Sequence, residues 1–142
     1  MARIANRIAR LTIAGSLALL TAAPALAVSR ADQPVQSWSA MQGIDVPELL
    51  DQAQDMPTSD MALGDQPYCA DNPEIRQTLQ HDFAEQPVDS SHAGTQLWAS
   101  NQMGTWTLVA PRADQTSCII ASGIGYHPEK DVEVYYQTAG LN

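Results

Sequence analysis

Apolar positions in the second half of the chain fall into two periods. Ile75, Leu79 and Phe83 recur every four residues, which places them on one face of a helix. Asp71-Asn72-Pro73-Glu74 supplies its start, with a capping side chain, proline in the first turn and an acid at the positive end of the helix dipole. The spacing predicts a helix running to about Glu85. A loop from Pro87 to Gly94 follows, and then the period shortens to two. Thr95 to Ser100, Thr105 to Ala110 and Ser117 to Ser122 are short β-prone runs joined at residues 101–104 and 112–115. In the middle run Trp106, Leu108 and Ala110 alternate with Thr105, Thr107 and Val109, and connectors this short give an antiparallel meander. Val132 to Tyr136 is a candidate fourth strand. The predicted fold class is α+β: one helix packed on a small antiparallel β-meander of three to four strands, preceded by a flexible arm.

That arm is the segment from Val28 to Leu63, poor in large apolar residues and punctuated by Pro34, Pro47 and Pro57. One local helix is readable inside it. Asp45 is its N-cap, Glu48 completes a capping box, and Val46, Leu49, Leu50 and Ala53 form an apolar stripe ending near Gln54. Such a stripe can lie in the groove of a protein partner in the cell envelope. The expected organisation is a signal peptide over residues 1–27, an acidic arm over 28–63 and a stapled domain over 64–142.

The signal reading rests on Arg3, Arg7 and Arg10, then the apolar stretch from Leu11 to Ala23, then the small residues Ala25 and Ala27 around a cleavage point. Thirteen residues from Leu11 to Ala23 fall short of the roughly 20 that cross a bilayer. The expected mature chain begins near Val28, in the periplasm or secreted, with no membrane span after cleavage. No cysteine follows Ala27 to carry a lipid, and the arginines are not adjacent as a twin-arginine signal requires.

Cleavage sharpens the charge. The whole chain carries 7 basic and 16 acidic residues for a net charge of −9, and loss of Arg3, Arg7 and Arg10 takes the remainder to about −12. Only Arg30, Arg76, Arg112 and Lys130 are left to meet phosphates, so nucleic acid and anionic membrane surfaces are excluded as partners.

Cys69 and Cys118 are the two cysteines of the chain, and an even count in an oxidising compartment predicts a disulfide. The expected bond ties the start of the helix at residue 72 to the third strand of the meander. Neither cysteine has a C-x-x-C neighbour or a histidine within four residues, which leaves a redox or metal pair unsupported.

The motifs Leu97-Trp98-Ala99-Ser100, Gly104-Thr105-Trp106-Thr107 and Cys118-Ile119-Ile120-Ala121-Ser122-Gly123 resemble a pattern that recurs in small exported, periplasmic proteins of Gram-negative bacteria. The resemblance implies a small α+β domain outside the cytoplasm. It implies no catalytic residue, substrate or cofactor.

Candidate chemistry is sparse. Asp89-Ser90-Ser91-His92 sets hydroxyls beside a histidine without an aimed base or oxyanion hole, and Ala121 to Gly125 lacks the first glycine of a nucleophile elbow. No phosphate, dinucleotide or calcium motif occurs, so no cofactor is expected. A small envelope enzyme or metal-handling protein using His81, Glu85, His92 and His127, with Asp82 near, is the alternative to a binding role, since His81 and Glu85 are spaced to share a helix face. Met41, Met56, Met61 and Met103 are soft ligands without the tight spacing of a copper motif. The candidate binding surface is aromatic: Trp98 and Trp106 on neighbouring strands, extended by Tyr126. The reading these features favour is a non-catalytic accessory or binding protein of the envelope.

Overall fold

The computed structural model describes residues 30–40, 44–59, 64 and 66–141. The signal segment, the cleavage point before Val28, Met41 and Met61 lie outside them.

Among the described residues six strands form one antiparallel sheet: β1 (Gln36–Ser39), β2 (Tyr68–Asp71), β3 (Gln86–His92), β4 (Thr95–Ser100), β5 (Thr105–Pro111) and β6 (Thr116–Ile124). Strands β3 to β6 follow one another as a meander. The far edge of β6 is shared end to end by two short strands, β2 opposite residues 116–119 and β1 opposite residues 121–124. Between these two stretches β6 carries a bulge, since Leu108 pairs with Ala121 but Val109 pairs with Ile119.

Both faces of the sheet are covered. On one, α1 (Val46–Asp55) and α3 (Glu133–Thr138) bring Leu49, Ala53, Tyr135 and Tyr136 onto Leu97, Trp106, Leu108 and Ile120. On the other, α2 (Asn72–Gln77) and a π turn over Thr78–Asp82 lay Ile75 and Leu79 on Trp98 and Val109. Covering both faces explains why Thr107, on the polar side of the alternation in β5, is only 4% exposed.

The expected single helix on a three- to four-strand meander is thus corrected to a six-stranded sheet with three short helices. The segment read as a flexible arm supplies β1 and α1, and Leu49 and Ala53 of the α1 stripe pack on the chain's own sheet, 2% and 0% exposed, with Leu50 against them. Residues 87–92, expected as loop, lie in β3, an edge strand that tolerates Pro87 because its outer side needs no ladder donor. Val132 to Tyr136, expected as strand, enters α3. There Tyr135 and Tyr136 are both fully buried, and a helix can bury such neighbours where the alternation of a strand would turn one of them outwards.

Two of the few basic side chains hold the N-terminal elements in place. Arg112, whose side chain is 4% exposed, donates from Nη1 to the carbonyls of Ala53 at 3.0 Å and Met56 at 2.5 Å, and from Nε to Thr116 Oγ1 at 2.6 Å. It thereby satisfies carbonyls at the C-terminus of α1 and lies at the negative end of that helix. Lys130 Nζ donates to the carbonyls of Gln33 and, at 3.0 Å, Gly125. Arg112→Ala strands those carbonyls, and a loss of about 3 kcal/mol is expected, with rapid proteolysis opening within residues 46–59. Unchanged protease resistance would show that α1 does not depend on this anchor.

Cys69 and Cys118 stand directly opposite each other in β2 and β6, their sulfurs at bonding distance, 2.05 Å. The bond therefore joins two paired strands, and the helix that follows β2 is held through the strand rather than by the bond itself. Further along β6, opposite β1, Gly123 faces the Trp106 ring. A Cβ at 123 would stand 2.6 Å from that ring and 1.9 Å from the Gln36 carbonyl oxygen, so strand and indole approach only because the side chain is absent. Gly123→Ala is expected to cost about 3 kcal/mol through overpacking, read as a lower urea midpoint. An unchanged midpoint would contradict the seat of β1 and Trp106 on β6.

Candidate functional site

The site begins with the way α2 ends. Its α-helical turns give way to the π turn, in which each turn takes in an extra residue. Ile75 and Leu79 stay on the buried stripe, but the wider turn moves the third member of the series, Phe83, off it: Phe83 is 43% exposed. Ala84 then takes a left-handed conformation, φ 51°, and the Glu85 N–H bonds back to the Leu79 carbonyl at 2.9 Å. This resembles the closure that commonly ends helices, with the ring of bonds wider by the π residue. Its result is that Glu85 turns inwards beneath Phe83.

Strand β1 supplies the opposite wall. Ser37 Oγ and Ser39 Oγ donate to the carbonyls of Thr138 at 2.8 Å and Ala139 at 3.3 Å, so both face α3. Trp38, between them, points to the other face of the sheet and is 54% exposed. Between Trp38 and Phe83 lies a cavity of about 290 Å³, floored by Thr105, Thr107, Ile119 and Glu85. Its walls are mainly apolar. A wider trough of about 620 Å³ runs over β3, but it is lined by Asp89, Ser90, Ser91 and Gln96 beside Pro87 and Val88, and no orphaned buried polar atom faces it.

Glu85 is the anomaly of the cavity. It is 1% exposed, its Oε2 has no hydrogen-bond partner, and Thr105 Oγ1 is orphaned with it. Burial pushes the Glu85 carboxyl up to about 7, against the opposing pull of the neighbouring Thr105 and Thr107 hydroxyls. Of the three buried side-chain atoms without a partner among the described residues, two line this one cavity. The third, Trp98 Nε1, lies by a smaller cleft near α2.

The aromatic residues singled out in the sequence do not form one surface. Trp98, 7% exposed, packs under α2, whereas Trp106 is fully buried on the opposite face, its ring 5.7 Å from that of Tyr135. Tyr126 is half-buried and packs on Tyr135 at 5.3 Å. The indole that does reach the surface is Trp38. Sequence reasoning passed over it because β1 is short and its flanking residues are polar. The available signal was Trp38 between Ser37 and Ser39, too brief to separate from loop.

His81, Glu85, His92 and His127 are dispersed. The His81 side chain is 83% exposed and 3.0 Å from Asp82, while Glu85 is buried, because the π turn destroys the i, i+4 relation of an α-helix. His92 packs on Tyr136, and His127 sits behind β6, where its backbone bonds with Tyr135 Oη. Among the described residues no group of three or more His, Cys, Asp and Glu is arranged to hold a metal ion, and no helix is long and apolar enough to cross a membrane.

No protein-family model, curated protein or solved structure matches this chain.

Proposed function

We propose that the chain is a non-catalytic binding protein of the cell envelope, periplasmic or secreted, that holds a small apolar ligand in the cavity between Trp38 and Phe83. One observation carries this reading: a mainly apolar cavity of about 290 Å³, near the lower end of ligand-site volumes, opens between two large aromatic side chains that the fold leaves at the surface. Exposed aromatics at the mouth of a dry cleft are where a ligand gains most from leaving water. The paired cysteines fit an oxidising compartment, and the resemblance to small exported proteins of Gram-negative bacteria points the same way.

Tryptophan fluorescence tests the cavity directly with 2-phenylethanol as probe. A saturable change is expected, lost in Ser122→Phe, which fills the space opposite Trp38, and reduced in Trp38→Phe, which removes the exposed one of the two indoles that line the cavity. A response that persists in Ser122→Phe would place binding elsewhere.

A further inference from the structure

We infer that the ligand of this cavity is a small amphipathic amine, its ammonium group meeting Glu85 Oε2 and Thr105 Oγ1 and its apolar body lying against Trp38, Phe83 and Ile119. This rests on the binding reading above and names the ligand class.

The two orphaned atoms carry the inference. Buried polar atoms in folded proteins are almost always paired, and each exception requires a reason. Here two of them line one cavity. The Thr105 and Thr107 hydroxyls stand close enough to Glu85 to draw its carboxyl downwards without closing a hydrogen bond onto Oε2, so a partner shared by Thr105 and an ionised Glu85, which can only accept, must be a donor. An ammonium carries three donors, enough for both atoms, and its charge offsets the carboxylate where a neutral hydroxyl would not.

Charge elsewhere points the same way. With a net charge of −9, the chain attracts cations and repels carboxylates and phosphates approaching the cavity. Two of its cations are occupied elsewhere: Arg112 with α1 and Lys130 with the carbonyls of Gln33 and Gly125. Trp38 at the rim offers a π face over which an ammonium is stabilised on its way in. Glu85 Oε2 is closed to water in the structure, so the head group reaches it by a small movement of the side chains that line the cavity. Thr107 and Ser122 aside, the remaining side chains of the lining are apolar, and that suits a body without further polar groups.

Calorimetric titration at neutral pH with 2-phenylethylamine, 2-phenylethanol and 3-phenylpropionate separates this inference from the reading it rests on. The amine is expected to bind at least about tenfold more tightly than the alcohol, and the acid weakest of all. Glu85→Gln should erase the preference for the amine while leaving the alcohol bound, with the fold checked by circular dichroism. Thr105→Val, which keeps the carboxylate, should reduce the preference in part and serves as the test should Glu85→Gln not fold. Equal binding of alcohol and amine would overturn the amine assignment and leave the apolar cavity standing. A preference for the amine that survives Glu85→Gln would do the same. No binding of any of the three would overturn both.

Discussion

Removing the bond between Cys69 and Cys118 is expected to lower stability by about 4 kcal/mol, the chain-entropy value for a closed loop of 49 residues. A small domain has a total stability of only about 5–15 kcal/mol, so the loss brings it close to unfolding. The location adds to the effect. The bond is fully buried and fastens β2, an edge strand of 4 residues, to β6 at the point where α2 begins. Cys69→Ala, Cys118→Ala avoids the buried hydroxyls that serine would introduce. Its urea midpoint is expected far below that of the parent, and alkylation of the unreduced parent should find no free thiol. A matching midpoint, or two free thiols, would refute the bond's role.

The second large effect is set by pH. The Glu85 carboxyl, raised from 4.5 to about 7, holds its proton in the folded state at pH values where the unfolded chain has released it. Protons are then bound more by the native state at this group, so the contribution of Glu85 to stability is greatest below pH 4.5 and is lost as pH rises through about 7. The total loss is about 3 kcal/mol. Glu85→Gln has no proton to lose, so the parent should lose about 3 kcal/mol more than the variant between the two ends of that range. Urea unfolding of both proteins at each end measures the difference. Equal losses would mean that Glu85 is solvated in the folded protein.

The parts of the fold legible in the sequence are those fixed by neighbouring residues. Strands β4, β5 and β6, the turns between them and the starts of α1 and α2 follow from alternation and proline position, although neither Asp45 nor Asp71 makes the side-chain cap hydrogen bond expected of it. What escaped depends on contacts distant in sequence. Strand β1 has little apolar character of its own, and it is ordered by backbone pairing with β6 and by Ser37 reaching Thr138, 101 residues away. The 28–63 segment looks too polar to fold because its anchors, Arg112 and Lys130, belong to the other end of the chain. At the site, the spacing of Ile75, Leu79 and Phe83 is real, but the π turn changes the phase before Phe83, and no local signal in Thr78 to Asp82 announces that change. Glu85 was noticed for its distance from His81, whereas its importance lies in having been turned away from that face.

The shared edge of β6 governs the order in which this molecule can assemble. Among the described residues β1 and β2 pair with no strand but β6, the last strand of the sheet. Until residues 116–124 are present, neither has a native strand to join, while β3, β4 and β5 can already form hairpins locally. Contacts that close large loops form late. A chain emerging N-terminus first therefore holds residues 36–39 and 68–71 without their native pairing until residues 116–124 arrive, a behaviour suited to the export proposed for it, because strands without an early partner leave the chain thin enough to be threaded.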